Sequence, residues 1–471
     1  MRSTFFGIEM ARRALGAQRT NIDVIGHNLA NAGTEGYRKQ DAHLVPTNPY
    51  DQKGHPRMIM GTGVKVADIT RRQNRYLDRE IYSRSSDEGM WTKRNQLLRE
   101  VQDVLAEPGE GGVAAALDRF WNGWQDLAGN ADDPAVRTAL LERGNELGDA
   151  FRLARRQLDN MVDNLEQTIS TRVNRVNGLI RELRDINEQV VALEARGLNP
   201  NDLLDRRDQL VEDLSGLIEV SVSDASDGGI ALSAGGVPIL DSFSGRRLEI
   251  ADIEEGVPGG PGQMTFQWVT DGGSAAPWSP GPGGELGAMI GMRNEDVPEL
   301  IADIVQLADG MREAINDIHE LGYGLDGVDG RPFFSDGAHA GYLVVNPELL
   351  ADPGRVAAAA GEDTGPSDGG NALAIAGLRN ERIIGGDASA AEFWRGVVAH
   401  VGVRTEQAEL LATNNQVMLT QLRNQRDAVT GVSIDEELTH LIAAQNAFGA
   451  AARLVTVWDD MLDTIVNRMV R

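Results

Sequence analysis

The most regular feature of the chain is an apolar seam at each of its two ends. Near the N-terminus Ile8, Ala11, Leu15, Ile22, Ile25 and Leu29 advance by alternating steps of three and four, with Gln18 the one polar member. That spacing predicts a helix ending near Asn31 to Gly33. At the C-terminus the pattern returns through Ile434, Leu438, Leu441, Gln445, Phe448, Ala452, Val455, Asp459, Leu462, Val466 and Met469. A second apolar row, Ile442, Leu454, Trp458, Met461 and Ile465, widens the stripe beyond what one partner helix covers. A terminal helix that is apolar on two sides needs more than one neighbour.

Between these ends lies a second helical layer. Pro134 suits a helix start, and from there to Arg196 the seam Phe151, Leu158, Val162, Leu165, Ile169, Val173, Val176, Ile180, Leu183, Ile186 and Val190 runs without an internal proline. At about 1.5 Å per residue this is a rod of roughly 95 Å. A packing partner for it is available in Trp394, Val397, Val401, Ala408, Leu411, Met418 and Leu422. A third run passes from Leu300 through Ile304, Leu307, Met311, Ile315 and Ile318, and Leu117, Phe120, Trp121, Trp124 and Leu127 add a turn or two. Strand-like alternation is concentrated in "IEVSVSD", "IALSAGGVPILD", "RRLEIADI" and "MTFQWVT", and "GVKVADI" is the clearest strand nearer the N-terminus.

The expected fold class is therefore mainly α with an inserted β domain, in a nested architecture. Terminal coiled-coil helices (1–35 with 432–471) are followed by an extended or β connector (36–90). A long-helix bundle layer (91–217 with 286–431) then encloses a small outer β domain (218–285).

Composition narrows the function. The 471 residues include no cysteine, which excludes thiol catalysis, iron–sulfur clusters, zinc–thiolate sites and disulfides. With 41% hydrophobic but only 5% aromatic residues, the chain is expected to build several cores without dense aromatic packing. A formal net charge of −26 opposes binding to nucleic acid or anionic lipid. No stretch approaches the ~18 to 20 apolar residues of a membrane span, so no membrane insertion is expected. The N-terminus lacks the apolar core and cleavage site of a secretory signal.

The charge is uneven. Residues 1–40 carry six basic against three acidic side chains, a net of +3, and residues 432–471 carry six acidic against three basic, a net of −3. The ends thus balance as a pair, and the acidic excess lies in residues 41–431. Exposed ion pairs are worth only ~0 to 1 kcal/mol each, so they select orientation while apolar burial drives association.

Candidate chemistry is sparse. The seven histidines form no i, i+4 pair, and there is no HExxH, no GxxxxGK[ST] and no GxGxxG after a strand. Asp326 and Asp329 in "GYGLDGVDGRPFF" lack the spacing and terminal Glu of an EF-hand and read as a turn before an aromatic anchor. Glu436 and Glu437 sit at a helix start, where they complement the dipole. No catalytic, cofactor-binding or metal residue is assigned, and neither enzymatic activity nor a cofactor is expected.

The segment "TNIDVIGHNLANAGTEGYRKQ" resembles the N-terminal signature of the axial proteins of the bacterial flagellum through Asn28, Ala30, Asn31, Thr34, Gly36, Tyr37 and Gln40. "GVSIDEELTHLIAAQNAFGAAARLVTVWDDMLDTIVNRM" is similar to that group's C-terminal helix. The ends alone do not separate rod or hook subunits from hook-associated ones. The interior, "NPNDLLDRRDQLVEDLSGLIEVSV" and the run from Gly284 to Phe333, resembles the family of hook-associated protein 1, at the hook–filament junction. Here Leu203, Leu204, Asp205, Arg207, Asp208, Leu286, Asn316, His319, Gly322, Asp326 and Gly327 carry the likeness. The β insertion and residues 340–390 look short for the family.

The resemblance implies an extracellular structural subunit, exported by the flagellar type III apparatus without cleavage and assembling as a ring at the hook tip. Its implied partners are further copies of itself, hook protein below, a second junction protein or flagellin above, and an export chaperone on the C-terminal helix. Ile8, Leu15, Ile22, Ile25, Leu29, Leu438, Leu441, Phe448, Val455, Leu462 and Val466 would be the assembly residues. The alternatives are a distal rod, hook or other hook-associated axial protein and, from a different class, an extracellular enzyme or adhesin displayed on the flagellum.

Overall fold

The computed structural model describes residues 6–51, 59–105, 109, 111–254, 260–281, 283–335 and 342–464. Helix α1 (Phe6–Ala30) leads into strands β1 (Gln40–Pro46), β2 (Tyr50–Asp51), β3 (Ile59–Met60) and β4 (Val64–Arg71). Helices α2 (Arg75–Leu105), α3 (Val113–Gly129), α4 (Pro134–Glu194) and α5 (Asn201–Leu217) follow. Then come strands β5 (Ser221–Asp224), β6 (Ile230–Ala234), β7 (Val237–Leu240), β8 (Arg247–Glu254), β9 (Gln263–Val269) and β10 (Ala275–Trp278). The chain continues through α6 (Gly284–Gly291), a π turn (Met292–Asp296), α7 (Val297–His319), α8 (Pro347–Ala351), α9 (Gly370–Gly377), α10 (Ala390–Thr430) and α11 (Ile434–Asp463). This is a mainly α fold with small antiparallel sheets.

Helix α4 is the spine. Asp133 caps its first turn by accepting from the Ala135 amide, Pro134 occupies the position where no donor is needed, and the seam from Leu140 to Val190 is buried along its length. It packs against α3, α5 and α7. Helix α10 runs along α2, and not along α4 as its spacing had suggested. The lower part of its seam is also rotated by one residue, with Ala412 and Leu419 buried in place of Leu411 and Met418.

The reason is that α2 is inconspicuous in sequence. Its buried side includes Asp78, Ser85 and Ser86, which interrupt the apolar period. Residues 75–90, expected to be extended, are accordingly helical. Helix α3 is likewise longer than a turn or two, and its Phe120 and Trp124 meet His319, Phe333 and Phe334 at ring centroid distances of 5.0 to 6.0 Å. A second group, Phe266, Trp268 and Trp278, lies in the β domain, so the few aromatics do form dense clusters, contrary to expectation.

The two three-stranded sheets, β5-β6-β7 and β10-β9-β8, lie against α4. Two asparagines on α4 hold them there. Asn177 exchanges hydrogen bonds of 2.9 and 2.7 Å with the Leu248 backbone, and Asn187 does the same with Ile230 at 3.0 and 2.9 Å. Leu232, Leu248 and Trp268 then join one apolar core with the helices. Gly284 returns the chain to the helical layer with φ of +78° against the Leu217 carbonyl, a place without room for a side chain.

Candidate functional site

The two chain ends form an antiparallel helix pair. Near one end of the contact the Asn28 amide donates to Glu437 Oε2 at 3.0 Å, and near the other Gly7 lies directly under the Trp458 indole, where a Cβ would collide. Gly7 precedes Asn28 by as many positions as Trp458 follows Glu437, so one register holds throughout. In that register Asn21 faces Ala444 and Ala14 faces Ala451. The buried residues are small or polar: Gly7, Ala11, Ala17 and Asn28 with Val24 and Ile25 on α1, and Glu437, Ala444 and Ala451 on α11.

This seam is rotated by about one residue from the one read in the sequence. Of the expected assembly residues, Ile25 is buried, while Ile8, Leu15, Ile22, Leu29, Leu441, Val455 and Leu462 are half-buried on its flanks. Leu438 and Phe448 are exposed, and Val466 lies outside the described residues. Where the helices approach over Gly7 and the alanines the larger side chains sit at the edges, and among the described residues of the expected set Ile25 alone stays in the seam. Ile442, Leu454 and Met461 of the second row are exposed as well.

Where the hairpin meets the helical layer, the segment after α1 is held by a buried polar joint. Asn28 is its hub: its Oδ1 accepts from the Gln40 amide at 3.0 Å and from the Tyr37 hydroxyl at 2.8 Å, and its Nδ2 donates to the Gln40 carbonyl at 2.9 Å. Lys39 donates its backbone amide to the Thr430 carbonyl that ends α10 and forms an ion pair of 2.6 Å with Glu437. Arg38 grips Asp78 of α2 with two hydrogen bonds of 2.8 and 2.9 Å and lies 3.1 Å from Asp208 of α5. Its backbone amide donates to Asp205, which with Asp208 also accepts from Arg71, at 2.7 Å each. Arg207, beside them, donates to the Gly228 carbonyl and so reaches the β domain.

Burial alone would lower the Arg38 pKa, but Asp208 and Asp78 outweigh it and raise it above the ordinary guanidinium value. Burial pushes the Asp78 and Asp205 carboxyls up, against the pull of Arg38 and Arg71 respectively. The Tyr37 phenol is pushed well up by burial and by Asp202, Asp205 and Glu437. Above the joint, a mixed-charge crevice of about 590 Å³ opens between the loop after α1, α5 and the end of α10. Gly36, at φ of +78°, turns the loop against Gln209 on its wall.

In the joint Arg38, Lys39 and Arg71, from the segment after α1 and from β4, pair with carboxylates on α2, α5 and α11. The Tyr37 hydroxyl also lies 3.0 Å from His27 Nδ1, and no three metal-ligating side chains converge among the described residues. Sequence reasoning missed Lys39 as a partner and read Glu437 as complementing the helix dipole and as one residue of the C-terminal resemblance, not as half of a buried ion pair. A signal existed: Glu437 occupies the heptad position that Ala444 and Ala451 repeat, where a charge is out of place.

Asn28, Tyr37, Gln40, Asp205, Arg207 and Asp208 of this joint are among the residues that carry the flagellar resemblance, and comparison with known proteins bears on the whole chain. Residues 98–334, half of the chain, match the flagellar hook-associated protein FlgK helical domain. Residues 8–38 match the flagella basal body rod protein family, and residues 425–469 match the flagellar basal body rod FlgEFG protein C-terminal family. Flagellar hook-associated protein 1 of Bacillus subtilis is 29% identical over 100% of this chain and 99% of its own. That of Salmonella typhimurium is 23% identical over 98% and 99%. The flagellar hook junction protein FlgK from Burkholderia pseudomallei shares the fold, with a TM-score of 0.65 and 14% identity over 74% of this chain and 100% of that one.

Together with the fold, these family matches define a structural axial component of the bacterial flagellum. Within that class, the chain belongs to the flagellar hook-associated protein FlgK family. Its relatives are structural flagellar proteins.

Proposed function

We propose that this chain is exported through the flagellar type III apparatus without cleavage and assembles as a ring at the hook tip, joining hook to filament. The observation that carries this reading is the surface of α11. Although α11 is already paired with α1, it keeps Leu438, Ile442, Phe448, Leu454, Val457 and Met461 exposed. Contiguous apolar surface of that kind marks an interface, and in a ring each copy offers it to the next.

In this reading residues 1–35 and 432–471 form the tube-lining unit, with Ile8, Leu15, Ile22, Leu29, Leu441, Phe448, Val455 and Leu462 at contacts between copies. The helical layer surrounds the tube and the β domain faces outward. Before assembly the exposed row of α11 fits a helix-in-groove contact with an export chaperone. After assembly the ring contacts hook protein on one side and a second junction protein or flagellin on the other.

The test is a strain lacking the gene. Electron microscopy is expected to show hooks without filaments, with flagellin lost to the medium. Bare rods without hooks would overturn the reading in favour of a rod or hook subunit. A Leu438→Ser, Phe448→Ser variant is expected to reach the medium without restoring filaments.

A further inference from the structure

Helix α10 offers a second unpartnered face. From Thr405 to its end it meets α2 along one edge, at Ala408, Ala412 and Leu419. On the opposite side Val403, Gln407, Leu410, Asn414, Val417 and Gln421 follow one another by alternating steps of four and three, and all are exposed. Val403, Leu410 and Val417 are 64%, 60% and 63% exposed. This is a heptad seam of apolar and amide positions with nothing packed into it.

Its charge content separates it from an ordinary solvated face. No Asp, Glu, Lys or Arg occurs from Leu410 to Leu422, in a chain of which 25% is charged. Exposed helix surface is where charges normally gather, and their depletion around apolar anchors is the mark of an interface core. The chain has one other long exposed helix with this property. On α11 no such residue occurs from Leu438 to Ala452, while Leu438, Ile442 and Phe448 stay exposed. The two uncharged runs are each roughly 20 Å long at about 1.5 Å per residue. Within one copy both lie open, because α11 is held along α1 and α10 along α2.

We propose that the outer face of α10 is the docking surface for α11 of a second copy of this chain. A chain carrying −26 repels its own copies except where both surfaces are neutral, and these two faces are neutral, apolar and alike in length. The amides of Gln407, Asn414 and Gln421 both donate and accept, so they tolerate the Gln445 and Asn446 amides of α11 opposite them. The run is bounded by Glu406 and Glu409 on one side and by Arg423 and Arg426 on the other, so its flanks offer no net charge to draw a strongly acidic or basic partner. The inference rests on the self-association proposed above and names the second of the two surfaces it requires.

The absence of native cysteine makes the test direct. Full-length copies carrying Val417→Cys or Leu410→Cys are mixed with differently tagged copies carrying Ile442→Cys or Leu438→Cys, and oxidised both at high concentration and on flagellated cells. Disulfides between an α10 position and an α11 position are expected to exceed same-site products by about tenfold, and Leu410→Glu to weaken association by at least about tenfold. Assemblies that form and yield only α11–α11 products would overturn the docking surface while leaving self-association standing. Copies that stay monomeric under both conditions would overturn both.

Discussion

Lys39 and Glu437, from opposite ends of the chain, form an ion pair of 2.6 Å in which each side chain is only 1% exposed. The lysine comes from the segment after α1 and the glutamate from the first turn of α11, so the contact closes the terminal hairpin at its base. Removing Glu437 leaves the buried Lys39 ammonium only the more exposed Glu436, 3.5 Å away, whereas replacing both partners by apolar groups of similar size removes the desolvation cost as well. Glu437→Met is therefore expected to destabilise by about 3–5 kcal/mol, and Lys39→Met with Glu437→Met by much less. Urea denaturation of the two variants checks this. Equal losses would show that the pair does not act as a unit.

Asn28 uses both ends of its amide, with four partners at 2.8 to 3.0 Å. Asn28→Ala strands the Gln40 amide in a buried place and is expected to cost about 1–3 kcal/mol. Asn31 bonds only to groups of its own turn, the His27 carbonyl and the Thr34 hydroxyl. Asn31→Ala is expected to stay within about 0.5 kcal/mol in the same denaturation experiment.

Gly284 and Gly273 both have positive φ, +78° and +81°, yet their surroundings differ. A side chain at Gly284 meets the Leu217 carbonyl, and one at Gly273 meets open space. Gly284→Ala should lower the melting temperature by several degrees through strain and collision together, while Gly273→Asn, in a conformation asparagine tolerates, should leave it unchanged. Differential scanning calorimetry of the two variants distinguishes these outcomes.

His319 is buried against the aromatic cluster, with Nδ1 at 2.6 Å from the Arg331 carbonyl and Nε2 accepting from the Ala357 amide at 3.0 Å. That pattern fits the neutral ring donating from Nδ1, and burial holds its pKa down to about 4. The unfolded chain binds this proton first, so the contribution of about 3 kcal/mol is complete above pH ~6.5 and is lost as pH falls towards 4. Asp303 has the opposite sign. Burial and Glu299 push it up to about 6 against the pull of His400, so the folded chain takes up its proton first and acidification relieves a penalty. Asp303→Asn should therefore be more stable than the parent at pH 7, with the advantage fading as pH falls below 6. Melting curves of both proteins from pH 7.5 to 4 measure it.

Much of the architecture was legible in the order of residues. The seam of α4 has no proline or glycine break strong enough to stop it, and Asp133 with Pro134 announces its start, so one period specifies 61 helical residues. The β insertion was equally visible, because alternation and turn residues are local signals. Helix α2 was not, since Asp78, Ser85 and Ser86 stand on its buried side, and only for Asp78 does a long-range partner, Arg38, account for the burial.

The joint divides the same way. The sequence identified Asn28, Tyr37, Gln40, Asp205 and Asp208 as a signature without saying that they meet. Their meeting depends on long-range placement, Arg38 reaching α2 and α5 while Lys39 reaches α10 and α11. Which side of the terminal helices faces inward was also decided by tertiary structure. Hydrophobicity ranks Ile8, Leu15 and Leu438 above Gly7, Ala444 and Ala451, yet the small residues form the seam because only they allow the backbones to approach. Periodicity determined that the ends are helices with apolar stripes. Close packing, which depends on the shape of the partner, decided which stripe is closed within the chain and which stays exposed.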